Sequence, residues 1–190
     1  MGRFSLALVH HPVLHKDGST IASAVTNTDL HDIARSCATF GVDAFYVVTP
    51  VAAQRALCDR LVHHWTVGDG ARKNADRARA FAAMRVVDSI TAALEMETRA
   101  AGRAVPAWAT SARPLPGAVP LETARRQLEQ GADALLLLGT AHGLAQPALD
   151  LCALTLAPIP GRAAPDGTRY NHLSVRAAAA ILLHQLRRDS

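Results

Sequence analysis

The stretch ALLLLG, residues 134–139, is apolar without a break and ends in glycine. A strand with one buried face alternates apolar and polar residues, whereas an unbroken apolar run is typical of a strand covered on both faces. Such strands lie in the centre of parallel sheets that carry helices above and below. Residues 134–139 therefore predict the central strand of an α/β sheet.

Apolar runs and helical patterns alternate on both sides of this strand. We predict further strands at residues 4–10, 43–49, 84–89, 104–112 and 154–160, helices at 29–41, 51–65, 90–102 and 121–131, and a last helix within YNHLSVRAAAAILLHQL (170–186). This alternation favours an α/β fold, a mostly parallel sheet with helices on both faces. The 190 residues suit one domain, 1–190.

Composition narrows the class of protein. The chain is 49% hydrophobic and has no apolar run long enough to span a membrane. The N-terminal residues lack the small-residue cleavage site of a signal peptide, so they predict a buried first strand. Three widely spaced cysteines, Cys37, Cys58 and Cys152, predict free thiols in a reducing compartment, and we expect a cytoplasmic protein.

The net charge is +4, and every basic side chain except Lys16 and Lys73 is an arginine. Arginine suits bidentate contacts to phosphate, so the charge is compatible with RNA binding. The base composition of a genome explains the same excess of arginine equally well. Charge alone therefore leaves RNA binding open.

Two segments interrupt the alternation. TVGDGARKNADRARA (66–80) is rich in Gly, Asp and Arg, and we interpret it as a loop that is either mobile at the surface or directed at a substrate. RPLPGAVP (113–120) is a rigid connection with too few backbone donors for a strand. For the predicted helix at residues 29–41, we expect Thr28 or Asp29 as N-cap and Gly41 as C-cap.

Glycine turns follow two strands at the edge of the sheet where ligands bind. In LLLLGTAHGLA (135–145), Gly139 and Gly143 allow close backbone approach and Thr140 adds a hydroxyl. In LAPIPGRAAPDG (156–167), prolines and a glycine shape the turn. Neither is a phosphate-binding fingerprint, so a phosphate-rich nucleotide is a poor candidate ligand. Each could also be an ordinary strand-to-loop turn.

Polar residues open the last helix. Asn171, His172 and Ser174 lie at or just before its N-terminus, where free amides favour a polar or anionic group, although simple capping by Asn171 or Ser174 explains them equally well. The run Ala177–Ala180 lets another backbone come close, including that of a second subunit. On helix 29–41, Arg35 either faces a pocket or extends into solvent.

The histidines and cysteines form no recognisable site. His10, His11 and His15 are near one another and His63 adjoins His64, but none has metal-ligand spacing beside a third ligand. No GxSxG nucleophile motif occurs. We therefore expect no metal.

Three ordered segments resemble the SPOUT superfamily of RNA methyltransferases. They are IARSCATFGVDAFYVV (33–48), LLLLGTAHGLA (135–145) and LAPIPG followed by YNHLSVRAAAAILLHQL. TNTDLHDIAR, WTVGDGARKN and YNHLSVR are similar to a bacterial S-adenosylmethionine-dependent RNA methyltransferase domain, which also occurs joined to tRNA guanine-N1 methyltransferase. The resemblance implies a C-terminal trefoil knot, a homodimer, S-adenosylmethionine as cofactor and tRNA or rRNA as substrate.

The resemblance also implies roles for individual residues. The catalytic residues would be Arg35, Asp29, His172 and Ser174, and the RNA-binding residues Arg72, Lys73 and Arg77. The cofactor would be held by Leu138, Gly139, Thr140, Gly143, Ile159, Pro160, Gly161, Asn171, Leu173 and Ser174.

The chain departs from the ribose-methylating branch at two positions. Asp29 stands where that branch has Asn, and His172 stands where its third motif has Asn. The atom methylated, ribose oxygen or base nitrogen, is therefore left open. Two other interpretations remain: a catalytically inactive module that binds the cofactor or RNA for regulation, and a small-metabolite enzyme on a doubly wound sheet.

Overall fold

The computed structural model describes residues 2–168 and 170–188. The strands are β1 (Phe4–Val9), β2 (Val13–Leu14), β3 (Thr20–Ile21), β4 (Phe45–Val48), β5 (Met84–Val87), β6 (Ala107–Ala109), β7 (Ala134–Gly139) and β8 (Cys152–Thr155). The helices are α1 (Asn27–Thr39), α2 (Ala52–Thr66), α3 (Asp69–Lys73), α4 (Ala75–Ala82), α5 (Ile90–Ala101), α6 (Leu121–Glu129), α7 (Gln146–Leu149) and α8 (Val175–Arg187).

Six of these strands form one sheet in the order β5-β4-β1-β7-β6-β8. Every pairing in it is parallel, and β7 pairs with β1 from Phe4↔Ala134 to Val9↔Gly139. Residues 134–139 are therefore a central strand, as predicted. Their side chains divide between two cores, with Leu136 and Leu138 on one face and Leu135 and Leu137 on the other.

Helices cover both faces of the sheet. One core is shared by α1, α2, α4, α6 and α8, and the other by α5 and α7. The chain runs from β1 outward to β4 and β5, then crosses to β6 before it returns to β7. The strand order therefore reverses between β1 and β7. Crevices at the carboxyl ends of strands beside such a switch point are where ligands bind in open α/β sheets.

A buried carboxylate anchors α5 under the sheet. Glu97 accepts hydrogen bonds from Arg3 Nε at 2.7 Å, Ser5 Oγ at 2.7 Å and the Tyr46 hydroxyl at 2.7 Å. Burial, followed by the hydrogen bond to Glu97, raises the pKa of Tyr46. Each oxygen of this fully buried acid thus has a donor, which is the condition for keeping a charge inside a core.

The structure corrects our interpretation of residues 66–80 as a loop. They contain α3 and most of α4, and Asn74 caps α4 by accepting a hydrogen bond from the Arg77 backbone N–H at 2.9 Å. Phe81, just beyond the segment, is fully buried and packs near Trp65. The polar composition of this segment made α3 and α4 hard to recognise in the sequence, because each helix buries only a few residues.

Three further boundaries differ from the expectation. Thr26, not Thr28 or Asp29, is the N-cap of α1, and its C-cap is Phe40 rather than Gly41. The last strand is β8 at Cys152–Thr155, so most of residues 154–160 lie beyond it. The hairpin of β2 and β3 was not predicted. Two-residue strands carry too little periodicity to be recognised in a sequence.

No described helix is both long enough and apolar enough to cross a membrane. The three cysteines form no disulfide. Burial raises the pKa of each thiol, to about 11 for Cys58 and Cys152 and further for Cys37, so all three stay protonated at neutral pH.

Candidate active site

The glycine turn after β7 is tightly folded. A Cβ atom added to Gly139 would lie 2.5 Å from the backbone nitrogen of Leu144, so the turn itself requires glycine there. Ala141 and Gly143 both have positive φ angles, 52° and 101°. The turn therefore folds back sharply onto the end of its strand.

Protein groups already occupy several amides of this turn. Thr140 N–H donates to the Val9 carbonyl at 3.1 Å, His142 N–H to the Leu14 carbonyl at 3.1 Å and Gly143 N–H to the Thr140 carbonyl at 2.9 Å. Leu14 belongs to the β2–β3 hairpin, which lies along the turn and pairs with it at Val13↔Leu144. The hairpin thus fixes the shape of the turn.

The turn and three loop segments beside it form what we call the loop cradle: residues 110–113, the 139–143 turn, and the segments around Gly161 and Asn171. Asn171 Nδ2 donates to the Ala112 carbonyl at 2.9 Å, and Arg113 donates to the His142 carbonyl at 3.3 Å. A Cβ atom on Gly161 would lie 3.5 Å from Asn171 Oδ1. The structure therefore brings together the residues that the sequence placed in three separate motifs.

Residues 110–113 are the part of the cradle that sequence reasoning missed. We treated Arg113 only as the start of a rigid connection. The available signal was position, because the loop follows a strand of the same parallel sheet and so opens at the same edge.

The other residues assigned to the cofactor differ in exposure. Leu138 is buried, Ile159 is half-buried against the core, and Pro160 is exposed. Leu173 is 47% exposed. Ser174 caps α8, and its hydroxyl accepts a hydrogen bond from the Ala177 N–H at 3.3 Å.

A shallow depression lies between α1 and the start of α8. Its volume is about 410 Å³, and it is lined by Asp32, Arg35, Ser36, Thr39, Phe40, Ser174, Arg176, Ala177 and Ala180. Arg35 and Ser174, two of the residues assigned to catalysis, therefore share one surface. We call this surface the α1–α8 depression. Through residues 171–174 it adjoins the loop cradle.

Asp29 is held by two side chains. Its Oδ2 accepts a hydrogen bond from the Thr26 hydroxyl at 2.6 Å, and its Oδ1 accepts one from Arg176 at 2.9 Å. Arg176 also lies 3.5 Å from an oxygen of Asp32. Asp29 thus joins the start of α1 to the start of α8 and does not line the depression.

His172 lies at the solvent-exposed side of the cradle. Its ring contacts that of Tyr170 edge-on, with centroids 5.1 Å apart, and Tyr170 is 81% exposed. His172 is not among the residues that line the depression.

The residues assigned to RNA lie on α3 and α4. Arg77 stacks over the Trp65 ring at 5.0 Å and lies 3.2 Å from Nδ1 of His31 on α1. Partial burial, and then the charge of Arg77, lowers the pKa of His31. Arg72 pairs with Asp69, and Lys73 is exposed. This basic surface is therefore attached to the helix that carries Arg35.

Sequence comparisons identify relatives over nearly the whole chain. The family described as SAM-dependent RNA methyltransferase matches residues 3–188. The tRNA (guanine-N(1)-)-methyltransferase of Nitratidesulfovibrio vulgaris is 45% identical over 183 residues, 96% of this chain and 41% of that protein. An uncharacterized protein of Aquifex aeolicus is 33% identical over 95% of this chain and 86% of its own length. The chain thus spans about two fifths of the named methyltransferase.

Solved structures share the fold. A probable methyltransferase from Bordetella pertussis has a TM-score of 0.60 at 18% identity and covers 98% of this chain and 93% of that one. The SpoU methyltransferase AviRb from Streptomyces viridochromogenes, in complex with AdoMet, has a TM-score of 0.58 at 19% identity and covers 99% of this chain and 58% of that one. The predicted α/β fold with a mostly parallel sheet is thereby confirmed. With the match over residues 3–188, the chain belongs to the SAM-dependent RNA methyltransferase family.

Proposed function

We propose that the chain transfers a methyl group from S-adenosylmethionine to RNA. The observation that carries the proposal is the α1–α8 depression, where Arg35 and Ser174 lie together beside the loop cradle. Among residues 2–168 and 170–188, the guanidinium of Arg35 has no ion-pair partner. A free arginine at the rim of a ligand site is available to a phosphate or a developing negative charge.

The residues of the loop cradle fit the cofactor. The adenine ring of S-adenosylmethionine has flat faces that pack against apolar side chains and an edge of polar atoms. The cradle offers the exposed Leu173 and the half-buried Ile159 next to Asn171. We propose that it is held by Leu138, Gly139, Thr140, Gly143, Ile159, Pro160, Gly161, Asn171, Leu173 and Ser174. When bound, the cofactor supplies a methyl group made electrophilic by its sulfonium.

The chain's own residues position the substrate and handle its proton. Arg35 holds the phosphate next to the reacting nucleotide or stabilises charge on it. Ser174 borders the same surface, and His172 is the nearby imidazole that can accept the proton released from the nucleophile. Asp29 acts by holding Arg176 and the start of α8 in place.

Transfer RNA is the substrate that the named relatives favour, because two of them are described as tRNA (guanine-N(1)-)-methyltransferases. The chain covers only 41% and 42% of those proteins, so both tRNA and rRNA stay candidates, as do ribose oxygen and base nitrogen. We propose that Arg72, Lys73 and Arg77 contact the phosphate backbone, which is the main source of affinity for nucleic acid.

We further propose a cytoplasmic homodimer with a C-terminal trefoil knot. Small half-buried residues on α8, Ala177, Ala178 and Ala180, leave a face that a second subunit could approach closely. The three unpaired cysteines are consistent with a reducing compartment.

The test is a methyl-transfer assay with labelled S-adenosylmethionine on tRNA and on rRNA from a strain that lacks the protein. Mass spectrometry of the digested nucleosides would identify the modified nucleotide. Transfer to one RNA pool, lost in the Arg35→Ala variant, is the expected result. Calorimetry that shows no cofactor binding at millimolar concentration would reject the proposal.

Cofactor binding without transfer to either pool would instead favour the regulatory module. In that case RNA binding, measured by filter retention, should still respond to the cofactor. An arginine exchange on the opposite face of the sheet, Arg99→Ala on α5, is a matched control for both assays because its side chain is 81% exposed.

A further inference from the structure

His10 occupies the switch point of the sheet. It follows β1 directly, its backbone N–H donates to the Val48 carbonyl at 2.9 Å, and its side chain is fully buried. The ring Nδ1 lies 3.0 Å from Oγ of Ser23, in the segment that leads to α1. A buried polar ring at this edge invites the question of what it positions.

Ser23 connects His10 to the glycine turn after β7. Its Oγ lies 2.5 Å from Oγ1 of Thr140, which lies 3.0 Å from the Val9 carbonyl oxygen. We call these three side chains, His10, Ser23 and Thr140, the polar chain. It joins the end of β1, the segment before α1 and the turn after β7, which lie far apart in the sequence.

We assign the donors of the polar chain from the Val9 carbonyl, which can only accept. In this assignment the Thr140 hydroxyl donates to Val9, the Ser23 hydroxyl donates to Thr140, and His10 Nδ1–H donates to Ser23. The proton of the neutral ring then lies on Nδ1. Nε2 has no hydrogen-bond partner among the described residues, and the Ala24 backbone favours the charged form of the ring.

We propose that His10 is a positioning residue, which through Ser23 and Thr140 sets the cofactor turn relative to the start of α1. The inference rests on the proposed function, since residues 139–143 are assigned there to the cofactor and α1 carries Arg35. The groups that face the ring are the Ser23 hydroxyl, the Ala24 backbone and the charge of Asp29. If His10 only filled the core, cofactor binding would not depend on which of its ring nitrogens has a hydrogen-bond partner.

Paired amide variants separate the two roles. The amide of His10→Asn takes a position near Nδ1 and can donate to Ser23, whereas that of His10→Gln reaches toward Nε2. Both place one amide in the same pocket. We expect His10→Asn to retain wild-type cofactor affinity, and His10→Gln and Ser23→Ala to weaken it about tenfold, as expected for one lost buried hydrogen bond. The kcat should change less than the KM for cofactor.

Calorimetry with S-adenosylmethionine and steady-state kinetics measure these effects. If the wild type binds and all three variants bind equally well, the inference on His10 fails while the proposed function stands. If the wild type does not bind, both fail. If His10→Asn and His10→Gln weaken cofactor binding equally, His10 only fills the core and does not position the turn.

The protonation of the ring gives a test in the unaltered protein. Long-range ¹⁵N–¹H correlation spectra should show His10 at neutral pH with its proton on Nδ1. A proton on Nε2 would reverse the donor order and overturn the inference, whatever the variants do.

Discussion

At the scale of single residues, exchanging Arg35 distinguishes a catalytic role of this side chain from a structural one. Its side chain is exposed on α1 and pairs with none of the described residues, so Arg35→Ala should leave the melting temperature and cofactor affinity nearly unchanged. Methyl transfer should fall by about 10²–10³, the loss seen when one charge-stabilising donor is removed from an active site. Single-turnover assays of labelled methyl transfer measure the effect.

The exchange to lysine refines this prediction. Arg35→Lys keeps the charge but loses the planar fork, so little rescue indicates a bidentate contact. Arg99→Ala on α5 should transfer at the wild-type rate. An Arg35→Ala variant as active as the wild type would remove Arg35 from the mechanism.

His10 makes stability depend on pH. Burial lowers its pKa to about 4, against an ordinary value of 6.5. Between pH 6.5 and pH 4, His10 is therefore protonated in the unfolded chain but neutral in the folded chain. The free energy of unfolding is unaffected by His10 above pH 6.5 and decreases as the pH falls toward 4. The full shift corresponds to roughly 3 kcal/mol.

Urea unfolding of the wild type and of His10→Asn at pH 7, 6, 5 and 4 isolates this contribution. His31 also has a lowered pKa, but it titrates in both proteins and so cancels in the comparison. The variant should lose less stability over this range. Parallel curves for the two proteins would show that His10 does not titrate there.

At the scale of elements, α3 and α4 form a basic surface with two kinds of cation. Lys73 is exposed and without a partner in the described structure, whereas Arg77 stacks on Trp65 and contacts His31. Lys73→Ala should weaken RNA binding and lower the salt dependence of log K by about 1, with no change in melting temperature. Arg77→Ala should also lower the melting temperature, because it removes packing between α4, α2 and α1.

Filter-binding titrations at several salt concentrations, together with thermal unfolding, measure both effects. Lys16→Ala is the matched control for Lys73→Ala, since it removes the other lysine of the chain, which lies between β2 and β3 and not on α3 or α4. A salt dependence that Lys73→Ala leaves unchanged would contradict a phosphate contact at this position.

At the scale of the whole molecule, the open face of α1 and α8 predicts a dimer. Ala180 lines the α1–α8 depression, so Ala180→Arg should block close approach of a second subunit by size and charge. Light scattering should show twice the mass of the chain for the wild type and a single mass for Ala180→Arg. Ala100→Arg, at an exposed position on α5, should stay dimeric. A wild type that is monomeric at micromolar concentration would contradict the prediction.

The sequence by itself determined most of the strands and helices, and the family. The unbroken apolar run of β7, the glycine turns and the capping serine of α8 are local patterns, and local patterns act through backbone preference and burial of nearby side chains. The sequence also indicated that the turns and the helix entrance belong to one site. It failed at residues 66–80, where an asparagine cap and contacts of Trp65 and Phe81 outweigh a polar composition.

The tertiary structure alone decided which side chains meet. The strand order brings β1 against β7, and only then do Thr140 and Ser23 become neighbours. Asp29 finds Arg176 in the same way, across a separation of 147 residues along the chain. Such contacts have no local signature, because they depend on how distant segments pack, and packing in a core is set by all of its members together.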